Sequence, residues 1–126
     1  MNIIKQLLFI LLLLPIPSFA LTYTCNTFKK VNFEQEYPKD QLEKFQSFTL
    51  LETYDDNVAY VSRCVYFDKK IQCKKMLVDR IERDTNGNST KFYVFASHFN
   101  FQLFHNLSGL EDNGGGDISF QKCTVE

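Results

Sequence analysis

Alternation of apolar and polar side chains is clearest at the end of the run KFYVFASHFNFQLF, Lys91 to Phe104. There Phe99, Phe101 and Leu103 are apolar, while His98, Asn100 and Gln102 are polar. Side chains on a strand point alternately to its two faces, so this half predicts one face in a core and one face wet. The first half is apolar on both faces, with Phe92, Val94 and Ala96 on one and Tyr93 and Phe95 on the other. The whole run reads as one central strand, buried on both sides at its start and half exposed at its end.

Upstream, FQSFTLLETY (Phe45 to Tyr54) is followed by Asp55, Asp56 and Asn57 and then by VAYVSRCVYF (Val58 to Phe67). Two runs rich in β-branched and aromatic residues around a turn-forming cluster predict a hairpin. The next reversal falls at Asp68 and Lys69 and leads into IQCKKMLVDRIERD (Ile71 to Asp84). Counting outward from that turn opposes Phe67 with Lys70, Tyr66 with Ile71, Val65 with Gln72 and Cys64 with Cys73. The cysteines then occupy a non-hydrogen-bonded pair, where Cα atoms approach to about 4.5 Å and a disulfide fits. Cys25 is left for Cys123. The strongest turn signal is Asn86-Gly87, which opposes Glu82 with Lys91, Ile81 with Phe92 and Val78 with Phe95. PKDQLEKF (Pro38 to Phe45) predicts one short helix near residues 38–45, opened by its proline, with Leu42 and Phe45 on one face. These elements predict an all-β fold: a small antiparallel up-and-down β-barrel or sandwich of six or more strands. Two disulfides staple it, the one from Cys25 to Cys123 tying first strand to last.

The amino terminus changes the picture of where the chain works. MNIIKQLLFILLLLPIPSFA carries one charge, Lys5, then an apolar run from Leu7 to Leu14, two prolines and the small-x-small ending Ser18, Phe19, Ala20. This is the layout of a secretory signal cleaved after Ala20, and its apolar run is shorter than the roughly 20 residues a bilayer requires. Residues 21–126 then form one β-domain, secreted or periplasmic, with no membrane anchor and expected to be a monomer. An even cysteine number in an exported chain agrees with two disulfides. The balance of 14 basic against 15 acidic residues becomes 13 against 15 without Lys5. With no basic tract, that balance argues against nucleic acid as a partner.

Candidate chemistry is sparse. His98 and His105 are the only histidines; on a regular strand their odd separation sends them to opposite faces, away from joint metal ligation. Ser97 precedes His98 and faces away from it, and the cysteines are spent as disulfides. No GxSxG, HExxH, P-loop or dinucleotide motif occurs. EDNGGGD, Glu111 to Asp117, lacks the ligand spacing of a calcium loop and reads as a flexible hairpin loop. The sequons at Asn88 and Asn106 matter only in a eukaryotic secretory route. The expectation is no catalytic set, no cofactor and no metal. His98, Asn100 and Gln102 form a candidate binding face for another protein or an envelope component.

The Tyr23-Thr24-Cys25 start, the run of strands and the closing Cys123 give an outline similar to small exported bacterial β-barrel proteins, among them the periplasmic inhibitors of C-type lysozyme. The Ser-Gly-x-x-Tyr loop of that inhibitor family has no counterpart here, so no residue role carries over. The function expected from these readings is an exported non-enzymatic binding protein. The alternative is a structural or self-assembling envelope component, and behind both stands a hydrolase built on His98.

Overall fold

The structure, a computed structural model, describes residues 20–54 and 57–126. Residues 1–19 of the expected leader lie outside them, as do Asp55 and Asp56 of the first expected turn. The elements are β1 (Ala20–Val31), α1 (Lys39–Phe45), β2 (Phe48–Tyr54), β3 (Ala59–Phe67), β4 (Lys70–Leu77), β5 (Arg80–Arg83), β6 (Ser89–Val94), a 3-10 turn (Phe95–Ser97), β7 (Phe99–Phe104), β8 (Ser108–Asp112) and β9 (Ile118–Val125). All nine strands belong to one antiparallel sheet, ordered β4-β3-β2-β1-β9-β8-β7-β6-β5.

That order makes β4 and β5 the two edges of the sheet, although only Val78 and Asp79 separate them in the chain. The Val78 N–H donates to the Ala59 carbonyl at 2.9 Å and the Asp79 N–H to the Tyr93 carbonyl at 2.8 Å. Neighbouring residues thus bond to opposite ends of the sheet, which curls into a half-barrel whose ends meet here and again where Arg83 Nη2 donates to Asn57 Oδ1 at 3.1 Å. β4 and β5 act as successive halves of one strand, pairing first with β3 and then with β6. Every other strand pairs with its neighbour in sequence, and β1 with β9. This is the up-and-down topology; a single curled sheet excludes the sandwich.

The connections alternate between two poles. At the upper pole lie residues 32–47 with α1, the β3–β4 turn, the 3-10 turn and the glycine loop 113–117; at the lower pole lie the strand ends at Ala20 and Val125 and the remaining turns.

Directly opposed residues share a face, so the register defines the concave side. Cys25 opposes both Thr49 and Cys123, Leu51 opposes Tyr23 and Val61, and Phe101 opposes Phe92 and Glu111. The core is made of Leu51, Ala59, Val61, Phe92, Val94, Phe99, Phe101 and the Cys25–Cys123 disulfide, with Tyr23, Met76, Ile81 and Leu103 packed against it. Gly109 faces the same space: a Cβ there would lie 3.0 Å from the Phe101 ring and 3.1 Å from Cys123 Sγ. A side chain at this position would require the ring or the disulfide to give by a few tenths of an ångström.

Cys64 opposes Cys73 in the register counted from the sequence, and the two are bonded, with Cα atoms 4.1 Å apart. Asp68 and Lys69 both take positive φ, 51° and 61°, as a two-residue type I′ turn requires. Glu82 opposes Lys91 and Ile81 opposes Phe92, as expected; Val78 does not oppose Phe95, because the Asp79 carboxylate caps the Phe95 N–H at 2.7 Å and the chain turns there. The same event overturns the reading of Lys91 to Phe104 as one central strand. The 3-10 turn breaks it, His98 adopts the left-handed conformation, and β6 folds back on β7 with Val94 opposite Phe99. What looked like a strand apolar on both faces is a hairpin whose two arms present Phe92, Val94, Phe99 and Phe101 to one core. The helix forms where expected: Leu42 and Phe45 are half-buried, and Gln46 in the left-handed conformation closes it through its N–H to the Leu42 carbonyl at 2.9 Å.

Candidate functional site

Towards the upper pole the concave face changes from apolar to polar. Thr49 on β2, Arg63 on β3, Glu111 on β8 and Gln121 on β9 converge on the concave face beside and above the Cys25–Cys123 disulfide. Their order follows the ladder, in which Thr49 opposes Cys25 and Arg63, Glu111 opposes Phe101 and Ser119, and Gln121 opposes Gly109. The Arg63 guanidinium donates to Glu111 Oε1 from Nε at 3.0 Å and from Nη2 at 2.9 Å, and Thr49 Oγ1 donates to Glu111 Oε2 at 2.6 Å. Gln121 Nε2 donates to Thr49 Oγ1 at 3.0 Å and Thr27 Oγ1 at 3.1 Å, while its buried Oε1 has no partner among the described residues. Arg63 also lies over the Phe99 ring, 5.2 Å from its centroid. Arg63 reaches solvent while Glu111 is buried. The carboxylate is therefore neutralised from the mouth side and held on both oxygens. The cluster forms a polar floor at the mouth, and its one hydroxyl–carboxylate pair, Thr49 with Glu111, is buried.

Around this floor the upper connections close on one another. Asn113 Oδ1 accepts from the Gly115 and Asp117 N–H groups, and Asn113 Nδ2 donates to Asp117 at 3.1 Å. The Tyr37 hydroxyl donates to the other Asp117 oxygen at 2.9 Å, tying loop 113–117 to the β1–α1 segment. Gly114, with φ of 80°, presses on His98: a Cβ would sit 2.5 Å from its carbonyl oxygen. The polar groups of this loop are spent in holding it closed.

The three residues expected to form a binding row do not form one. His98 precedes β7, exposed in its turn, while Asn100 and Gln102 are half-exposed on the convex face. His98 and Asn100 line a cleft of about 390 Å³ with Tyr93, Val94, Phe95 and Phe99. Gln102 is outside that cleft and donates to Ser89 Oγ at 2.9 Å. His105 lies beyond the other end of β7, at the lower pole. Arg80 and Glu82, two apart on β5, share a face and form an exposed ion pair at 2.8 Å.

Two features escaped the sequence reading. One is the polar floor, for which a signal existed: the face that carries Ala59 and Val61 continues to Arg63, so a charged residue stands on the core register. The other is the β3–β4 hairpin, which projects past the mouth. Val65, Tyr66, Phe67 and Ile71 are exposed on it, Ile71 at 63%.

Comparison with known protein families, curated proteins and solved structures finds no match for this chain. The similarity in outline to exported bacterial β-barrel proteins therefore gains no support from a solved relative.

Proposed function

We propose that this chain is an exported, non-enzymatic binding protein that acts in the periplasm or outside the cell by occupying a partner, a protein or an envelope component, as an inhibitor or immunity factor does. One observation carries the reading. Among the described residues the three most exposed apolar side chains lie at the upper pole: Phe33 at 94% exposure, Ile71 at 63% and Phe95 at 59%, with Phe67 beside Ile71 on the projecting hairpin. Exposed apolar groups concentrated on one end of a small fold mark a contact surface. The two disulfides support export, because such bonds persist in oxidising compartments.

The test is an affinity pull-down with oxidised residues 21–126 against envelope and culture-fluid extracts, with a reduced bait as control. The expected result is one dominant partner that is lost on reduction. Replacing His98, Asn100 and Gln102 together by alanine then separates the two parts of the pole. Lost capture with an unchanged fold places the contact at the β6–β7 end, and unchanged capture moves it to the loops and the hairpin.

The second reading, an envelope component that self-associates through an uncovered strand edge, is favoured by β4, which has a strand on one side only among the described residues. Light scattering over a concentration series decides it, since a monomer at every concentration removes this reading.

A further inference from the structure

Resting on the reading of the chain as a binding protein, we propose that the outer edge of β4 is its docking site, and that the occupant is an extended acidic segment of another protein, added to the sheet as a further strand.

The register sets which backbone groups are on offer. In a two-residue hairpin the pair flanking the turn exchanges both backbone bonds, and so does every second pair after it. Phe67 with Lys70, Val65 with Gln72 and Arg63 with Lys74 are therefore the bonded pairs. The N–H and C=O groups of Ile71, Cys73 and Lys75 point the other way, where no strand of the described residues lies. Lys70 through Lys75 are all exposed. Among the described strands, only β5 besides has an open side. An uncovered edge of this kind is a template for an incoming strand, whose main-chain bonds supply affinity while alternate side chains supply selectivity.

Charge chooses the occupant. Between Arg63 and Lys75 the chain carries five basic residues and one acidic one, Asp68, although the whole protein has a formal net charge of −1. Lys75 is paired with Glu52 at 3.4 Å; Lys69, Lys70 and Lys74 have no carboxylate partner among the described residues. Lys70 and Lys74 stand on the same face of β4, four residues apart, with Gln72 between them. A strand laid beside them satisfies both with acidic residues four apart, while its other face meets Ile71. Alternating acidic and apolar residues are the matching pattern. A second copy of β4 fits less well: the antiparallel register that uses all three outward groups sets Lys74 against Gln72, Lys75 against Ile71 and Lys70 against Met76, so none of these lysines meets an acid. An anionic membrane would suit the lysines and the apolar tip, but it offers nothing to the three outward peptide groups.

The Cys64–Cys73 bond belongs to the same device. A two-stranded hairpin beyond the body of a sheet is marginal by itself. The staple, at a sequence separation of nine, holds the edge in shape before the partner arrives, so less ordering opposes association.

The probe is a capped peptide of about ten residues with alternating glutamate and valine, a usual strand length, beside its lysine-for-glutamate counterpart. Titration followed by NMR is expected to give binding by the acidic peptide alone, weakened by salt, with slowed exchange at the amides of Ile71 and Lys75. Ile71→Pro removes one outward N–H and no bond to β3, a substitution that an edge strand accommodates. It is expected to weaken binding by about tenfold, and the K70E/K74E double substitution by at least as much. Both variants should keep the far-UV spectrum and both disulfides. Equal binding of the two peptides, or slowed exchange elsewhere, overturns the proposal. So does binding to anionic vesicles that leaves the β4 amides unprotected. A partner from the pull-down that Ile71→Pro and K70E/K74E still capture overturns the β4 site while leaving the binding-protein reading in place.

Discussion

Arg63 is the residue on which the mouth of the half-barrel depends. Its face of β3 begins with Ala59 and Val61 and would be apolar throughout, yet the guanidinium lies between Glu111 and the Phe99 ring. Removing it leaves a buried carboxylate with Thr49 as its one remaining donor among the described residues. A bond to a charged group contributes about 1.5–3 kcal/mol, and the partner left behind keeps its desolvation cost. Arg63→Met is therefore expected to lower stability by about 2–3 kcal/mol in urea unfolding. Adding Glu111→Met should restore much of that loss, because an apolar pair of similar size needs no charge compensation. If the double variant is as unstable as the single one, Thr49 and Gln121 require the carboxylate and the floor is a cooperative network.

Among the elements, the hairpins show what the sequence discloses and what it hides. The β3–β4 register, its disulfide and the glutamate–lysine and isoleucine–phenylalanine pairs across β5 and β6 follow from counting outward from turns, because a turn fixes every pair beyond it. The break at Phe95 to Ser97 left no such mark. It contains no glycine, proline or asparagine, and the residue that takes the left-handed conformation is His98. What makes the chain reverse there is distant: the Asp79 carboxylate on the Phe95 N–H, and Gly114 pressed on the His98 carbonyl. The candidate row of His98, Asn100 and Gln102 was legible as an alternation, but its first member was misplaced by that turn. Exposure of the β3–β4 hairpin was equally hidden, since Val65, Tyr66, Phe67 and Ile71 are residues of types that a core takes readily. At this scale the staple can be tested by itself. Replacing Cys64 and Cys73 by serine is expected to lower global stability by about 2–3 kcal/mol in the chain-entropy account, less than opening a long loop would, because the bond spans a sequence separation of only nine. Amides of Val65 and Gln72 should also exchange markedly faster, as mass spectrometry of exchanged peptides would detect.

For the whole molecule, the decisive bond joins Cys25 to Cys123, 98 residues apart, inside the core. A loop of that length corresponds to about 4–5 kcal/mol in the chain-entropy account, a large share of the stability of a domain this size. Serine at both positions should therefore shift the urea midpoint more than serine at Cys64 and Cys73, by a ratio of roughly two, and that ratio checks the division between a structural clasp and a local one. The same clasp governs how the protein bears tension. β1 and β9 are antiparallel neighbours with Tyr23 opposite Val125, so a pull on the two ends enters the fold beside the disulfide and crosses through sulfur instead of running around the strands. Of the described chain, only residues 20–24 and 124–126 lie outside that shortcut, and each can lengthen by no more than about 3.6 Å. In oxidising surroundings the half-barrel would behave under load as an almost inextensible link, and a reducing agent would turn it into a tether of nearly a hundred further residues.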